Sequence, residues 1–139
     1  MSFLLDTCAI SEMARPHPHP GLRAWMEGHA AELIQASVIT VAELHFGVQR
    51  LPHGSRRNQL QAWLDHAFRV YFEGGILPIS ETIARRWGVI VAARNAEGRP
   101  ISTMDAFLAA TCAVHDLALV TRNVADFEGS VERIVNPWI

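Results

Sequence analysis

Short apolar runs alternate with amphipathic stretches along the 139 residues, and no two neighbouring runs are joined by a hairpin-type turn. This alternation predicts an α/β fold: a mostly parallel central sheet between helices on both faces, a three-layer α/β/α sandwich. A third observation agrees. The stretch from Ser102 to His115 is crowded with Ala106, Ala109, Ala110 and Ala113, and so apolar a helix belongs against the middle of a sheet.

The elements follow in order. Phe3, Leu4 and Leu5 form a short buried strand, and Thr7 to Ala14 a short helix stopped before Pro16. Prolines hold His17 to Pro20 extended, and two histidines at proline-fixed spacing without a third ligand read as a surface loop. Pro20 suits a first helical turn, with Leu22, Trp25 and Met26 as the apolar stripe before Gly28. Leu33 to Ser37 is the second strand, followed by a helix beginning at Thr40, where Thr40 and Glu43 match a capping box. His45 projects from another side of that helix.

From Ser55 to Phe72 the spacing of Leu60, Trp63, Leu64, Phe68 and Phe72 predicts one long amphipathic helix ended by Gly74 and Gly75. Ile76 to Ile79 is a strand whose Pro78 places it at an edge or a strand end. Ser80 and Glu81 open a helix buried through Ile83, Trp87, Ile90 and Val91 and closed by Gly98, with Arg85, Arg86 and Arg94 off the buried stripe. Ala118 to Thr121 is another buried strand. Glu132 to Val135 makes a last edge strand, and Asn136, Pro137 and Trp138 anchor the terminus.

Half of the residues are apolar, which suffices for one domain spanning 1–139. No apolar run reaches the length of a membrane span, and the N-terminus has no basic region leading to a cleavage site, so a cytoplasmic protein is expected. Cys8 and Cys112 lack metal or redox spacing and read as reduced thiols. The net charge of −2 supplies no bulk field for polyanions. Every basic residue is arginine, which excludes lysine nucleophiles, the P-loop lysine and the lysine expected beside a phosphorylated receiver aspartate.

The chemistry lies in the acids at the joints. Asp6 follows the first strand, Glu43 lies near the start of the helix after the second, and Asp105 is in the first turn of the alanine-rich helix. A fourth polar joint, Arg122, Asn123 and Asp126, follows the strand Ala118 to Thr121. In an open α/β sheet these positions share the edge where ligands bind. Carboxylates about 5 Å apart at an effective dielectric of about 20 repel by roughly 3 kcal/mol per pair. Three pairs cost on the order of 10 kcal/mol, comparable to the stability of a small domain. Such a cluster requires a hard divalent cation, or a proton on one acid when empty.

In this order, Leu4-Leu5-Asp6-Thr7, Thr40-Val41-Ala42-Glu43-Leu44, Asp105-Ala106-Phe107-Leu108-Ala109-Ala110 and Leu119-Val120-Thr121-Arg122-Asn123 resemble the PIN-domain ribonucleases. More narrowly the chain is similar to VapC toxins of bacterial toxin–antitoxin pairs, with a tail like that of the FitB-like branch. The resemblance covers essentially the whole chain and implies a PIN-like sandwich, with Asp6, Glu43, Asp105 and Asn123 catalytic. It implies Mg2+, or Mn2+, held by Asp6, Asp105 and Glu43, with Asp126 as a further carboxylate near the fourth position. Where the family often carries Asn, this chain has Cys8, a poor magnesium ligand expected only to pack. The resemblance further implies hydrolysis of a transfer or ribosomal RNA leaving a 5′-phosphate, a homodimer, and a cognate VapB-type antitoxin whose tail fills a groove beside the acids. The rival reading is a non-catalytic PIN-like binding module in which the acids merely cap helices.

Overall fold

The computed structural model describes every residue from Met1 to Ile139. Its five strands are β1 (Ser2–Leu5), β2 (Leu33–Ser37), β3 (Ile76–Leu77), β4 (Ala118–Val120) and β5 (Ile134–Val135), arranged in one sheet in the order β3-β2-β1-β4-β5. All four pairings are parallel. Parallel neighbours need crossovers, and these are supplied by α1 (Thr7–Met13), α2 (Pro20–Gly28), α3 (Val38–Gln49), α4 (Ser55–Asp65), α5 (Ala67–Tyr71), α6 (Glu81–Ala96) and α7 (Thr103–His115). The four-residue α8 (Val124–Phe127) follows β4.

The period of two along the strands divides the core into two layers. Phe3 and Leu5 of β1 join Ala118 and Val120 of β4 in a cluster with Ile10, Leu22, Val48, Leu64, Phe68 and Phe72. Leu4 and Leu119 point to the opposite face and pack with Ile83, Ile90, Leu108, Ala109 and Phe127. Burying each such Leu, Ile or Phe contributes about 1.5–3 kcal/mol, and both faces of β1 and β4 are covered. The sheet is therefore the middle layer of an α/β/α sandwich, as the sequence predicts.

Pro78 ends β3 at one edge, and β5 occupies the other. Gly74 and Gly98, at φ +72° and +70°, follow α5 and α6 in the left-handed conformation that closes a helix. The chain also departs from the sequence expectations at several points. The single helix expected over 55–72 is broken at His66, whose φ of −121° and ψ of −73° end α4 and open α5. The break lets Phe68 and Phe72 turn into the core while Tyr71 remains half exposed.

α3 begins at Val38 rather than at Thr40, because the buried Ser37 is its N-cap and accepts from the Ile39 amide. Arg94, expected off the buried stripe, is only 6% exposed. The His17–Pro20 segment does lie at the surface, but His19 also has a structural role, since its Nδ1 accepts from the Gly21 amide and caps α2. The terminal anchor also forms. Trp138 packs against the first core cluster, with the Arg122 guanidinium 5.7 Å from the centre of its ring.

Candidate active site

The strand order fixes where a site can form. The crossovers run from β1 outward to β2 and β3, then the chain returns across the sheet to β4 on the other side of β1. The crevice between the C-terminal ends of β1 and β4 is thus the topological switch point. Asp6 follows β1 directly, and Thr121, Arg122 and Asn123 follow β4. Helices antiparallel to the strands start at this same edge, which brings in the first turn of α7 with Asp105 and the second turn of α3 with Glu43.

Asp6 is 5% exposed and held on both oxygens. As N-cap of α1 its Oδ1 accepts the Thr7 amide at 2.6 Å, and its Oδ2 accepts the Thr121 hydroxyl at 2.7 Å and the Cys8 thiol at 3.4 Å. Cys8 therefore does more than pack: it contributes a weak donor to Asp6. Burial, followed by the charge of Asp6, pushes the Cys8 thiol above its ordinary pKa, so it stays a neutral donor. Burial likewise pushes Cys112 up to about 12, and neither thiol is in a disulfide.

Glu43 does not form the expected capping box, because Ser37 already caps α3 and Thr40 is fully buried. Its Oε1 instead accepts the Thr7 hydroxyl at 2.7 Å, and Thr7 also lies 3.1 Å from the Thr40 hydroxyl. One residue, Thr7, thus links Asp6 through its amide to Glu43 through its hydroxyl.

Asp105 sits on the cap of α7, its amide donating to Ser102 Oγ at 3.2 Å. Its carboxyl pKa is raised from 3.8 to about 6, first by burial and then by the charges of Asp6, Asp126 and Glu43, against a lowering hydrogen bond from Ser102. Three acidic residues from other joints, Asp126 among them, therefore act on Asp105. Asn123 stands at the same edge with its amide donating to the Thr121 hydroxyl at 3.0 Å and its side chain exposed. No group of three His, Cys, Asp or Glu side chains is gathered tightly enough to hold a metal ion alone.

Beside Glu43 a groove of about 700 Å³ runs between α1, α3 and α4. Leu44, Phe46, Leu60 and Trp63 supply apolar walls, while Arg15, Arg50 and Arg56 bring positive charge. His45 is not among its lining residues. The roles that sequence reasoning overlooked are those of the hydroxyl donors Thr7 and Thr121 and of Thr40, the hydroxyl partner of Thr7. The available signal was their position, each within three residues of a joint acid or at the strand end that faces one.

The sequence matches the PIN domain family over residues 3–128. The toxin FitB of Neisseria gonorrhoeae is 36% identical over 135 residues, covering 97% of each chain. The VapC ribonuclease Y4jK of Sinorhizobium fredii is 33% identical over 135 residues, 97% of this chain and 96% of that one. Among solved structures, FitAB bound to an IR36 DNA fragment superposes with a TM-score of 0.89 at 34% identity, covering 99% of this chain and 96% of that one. With its parallel sheet and its acids at the switch point, the chain belongs to the PIN-domain family, among relatives of the FitB and VapC type.

Proposed function

We propose that this chain is the toxin of a type II toxin–antitoxin pair, a metal-dependent endoribonuclease that hydrolyses one phosphodiester bond in a transfer or ribosomal RNA. The observation that carries this reading is the convergence of Asp6, the first turn of α7 with Asp105 and the second turn of α3 with Glu43 at the switch point of the parallel sheet, where Thr7 ties Asp6 to Glu43. The names of the FitB and VapC relatives support it independently.

An all-carboxylate donor set suits Mg2+ or Mn2+. Because no three side chains enclose an ion alone, waters complete the shell, as is usual for Mg2+. When bound, the ion supplies polarisation of the scissile phosphate and offsets charge on the leaving oxygen. Asp6, locked by Thr7, Thr121 and Cys8, and Asp105 are the principal ligands. Glu43, steadied through Oε1 by Thr7, is the further ligand or the base that takes a proton from the attacking water. Asn123 orients that water or a phosphate oxygen, and Asp126 adds the charge that the fourth position lacks. Arg122, resting on Trp138 next to Asn123, offers a guanidinium to the RNA backbone.

The groove beside Glu43 suits an antitoxin segment with an apolar face, delivering a basic residue to the acids. The exposed Val70, Tyr71 and Val89 supply apolar surface for a homodimer. No helix is long and apolar enough to cross a membrane, and the free thiols accord with work in the bacterial cytoplasm, where the RNA substrate lies.

The test is incubation of purified chain, free of antitoxin, with host RNA in Mg2+ and in EDTA, followed by sequencing of 5′-phosphorylated ends. The expected result is one dominant site, lost in EDTA and in Asp6→Asn and Asp105→Asn. Intact RNA under all conditions, or cutting that survives both substitutions, would favour a non-catalytic binding module instead.

A further inference from the structure

Arg94, in the last turn of α6, is the only basic residue buried in this protein, and no carboxylate lies within ion-pair distance of it. Its guanidinium is satisfied by neutral oxygens from two other segments. Nε donates to the Arg99 carbonyl at 2.7 Å, and one terminal nitrogen donates to the Asp126 carbonyl at 3.1 Å and to Ser130 Oγ at 2.8 Å. Arg99 adds a parallel tie, donating to the Glu128 carbonyl at 3.1 Å.

Burying a guanidinium without a counter-charge is unfavourable, and an apolar side chain of similar volume commonly serves packing as well or better. What an arginine provides and an apolar residue does not is a rigid fork with several donors at fixed separation. Here the fork spans two strips of backbone that lead to the candidate site. The Arg99 carbonyl belongs to the link that enters α7, whose first turn carries Asp105. The Asp126 carbonyl belongs to α8, the short helix that packs against α7 and follows β4 at the acidic edge.

We propose that Arg94 is a positioning residue: by clamping the α6–α7 link to the turn 126–130, it sets Asp126 against Asp105 and thereby sets the divalent-cation affinity of the acidic edge. The proposal rests on the nuclease reading for its biological purpose, but its physical content is cation binding.

The test is Mn2+ binding to the full chain without RNA, followed by electron paramagnetic resonance, for Arg94→Met, Arg94→Lys, Asp126→Asn and the Arg94→Met/Asp126→Asn double variant. Supporting-residue losses typically weaken metal binding about 10–100-fold, and about tenfold is expected for Arg94→Met, with Arg94→Lys in between. In the Asp126→Asn background Arg94→Met should weaken binding little further, a non-additivity that a generally loosened fold would not produce. Thermal unfolding monitors folding. If Arg94→Met fails to fold, Ser130→Ala and Arg94→Lys carry the same cycle. Folded variants with unchanged Mn2+ affinity, full additivity with Asp126→Asn, or a wild-type chain that binds no Mn2+ would each overturn the proposal. Wild-type Mn2+ binding and the expected non-additivity without any RNA cleavage would instead sink the nuclease reading and leave the role of Arg94 standing.

Discussion

Replacing Asp105 with Asn removes one charge from the acidic edge while keeping its shape, and without metal it should stabilise the fold near neutral pH. The carboxyl pKa stands at about 6 in the native chain against 3.8 in the reference state. A rise of roughly two units corresponds to about 3 kcal/mol of differential free energy. Asp105 is only partly buried, so solvent screening reduces this to about 1.5–2 kcal/mol. Attraction between an ionised Asp105 and the N-terminus of α7 offsets a further 0.3–1 kcal/mol, approximately, leaving about 1 kcal/mol. The native state binds more protons than the unfolded chain between about pH 4 and 6, so wild-type stability falls as pH rises through that window, and the deficit is complete above it. The neutral amide of the Asp105→Asn variant carries no such dependence. Thermal unfolding in EDTA should therefore show the variant roughly 2–5 °C more stable at pH 7.5, with the gap closing by pH 4. Saturating Mn2+ should reverse the order, because the wild type binds the ion more tightly and gains the larger linkage term. A variant no more stable than wild type at pH 7.5 in EDTA, or a gap that ignores pH, would refute the reasoning that burial and the neighbouring acids disfavour an ionised Asp105.

Two other substitutions test the scaffold around Asp6 and the tail. Thr121→Val deletes the buried 2.7 Å donor to Asp6 Oδ2; urea unfolding should show a loss of about 1.5–3 kcal/mol, and Thr121→Ser should restore most of it. Gly21→Ala places a Cβ against the Pro137 carbonyl oxygen; overpacking of this kind costs about 1–3 kcal/mol, and since backbone must move, Trp138 fluorescence should report the displaced tail.

The parallel sheet and the placing of the acids at one edge follow from features that a sequence displays. Alternating strands and helices demand parallel crossovers, and parallel crossovers put every helix-opening acid at one edge, so Asp6, Glu43 and Asp105 were legible from their joints alone. What stayed hidden depends on contacts between distant segments. Thr40 and Glu43 match a capping box locally, yet Ser37 caps the helix three residues earlier, which frees Glu43 to meet a hydroxyl 36 residues away in sequence. The helical stripe of α6 assigned Arg94 to solvent because periodicity knows only one neighbouring surface. The turn after α8 covers it from the other side. His66 likewise interrupts a periodic pattern, because Phe68 and Phe72 find their partners only in a core cluster assembled from distant segments. Local pattern thus decided which side chains reach the edge, whereas long-range hydrogen bonds decided how each is aimed. At Glu43 the two pulled in different directions: a carboxylate folded back onto the Thr40 amide would be turned away from its neighbours, and the contact with Thr7 ties it instead to the residue that holds Asp6. Thr7→Val should consequently release Glu43 while leaving the backbone donor to Asp6 in place, which separates the aim of one acid from that of the other.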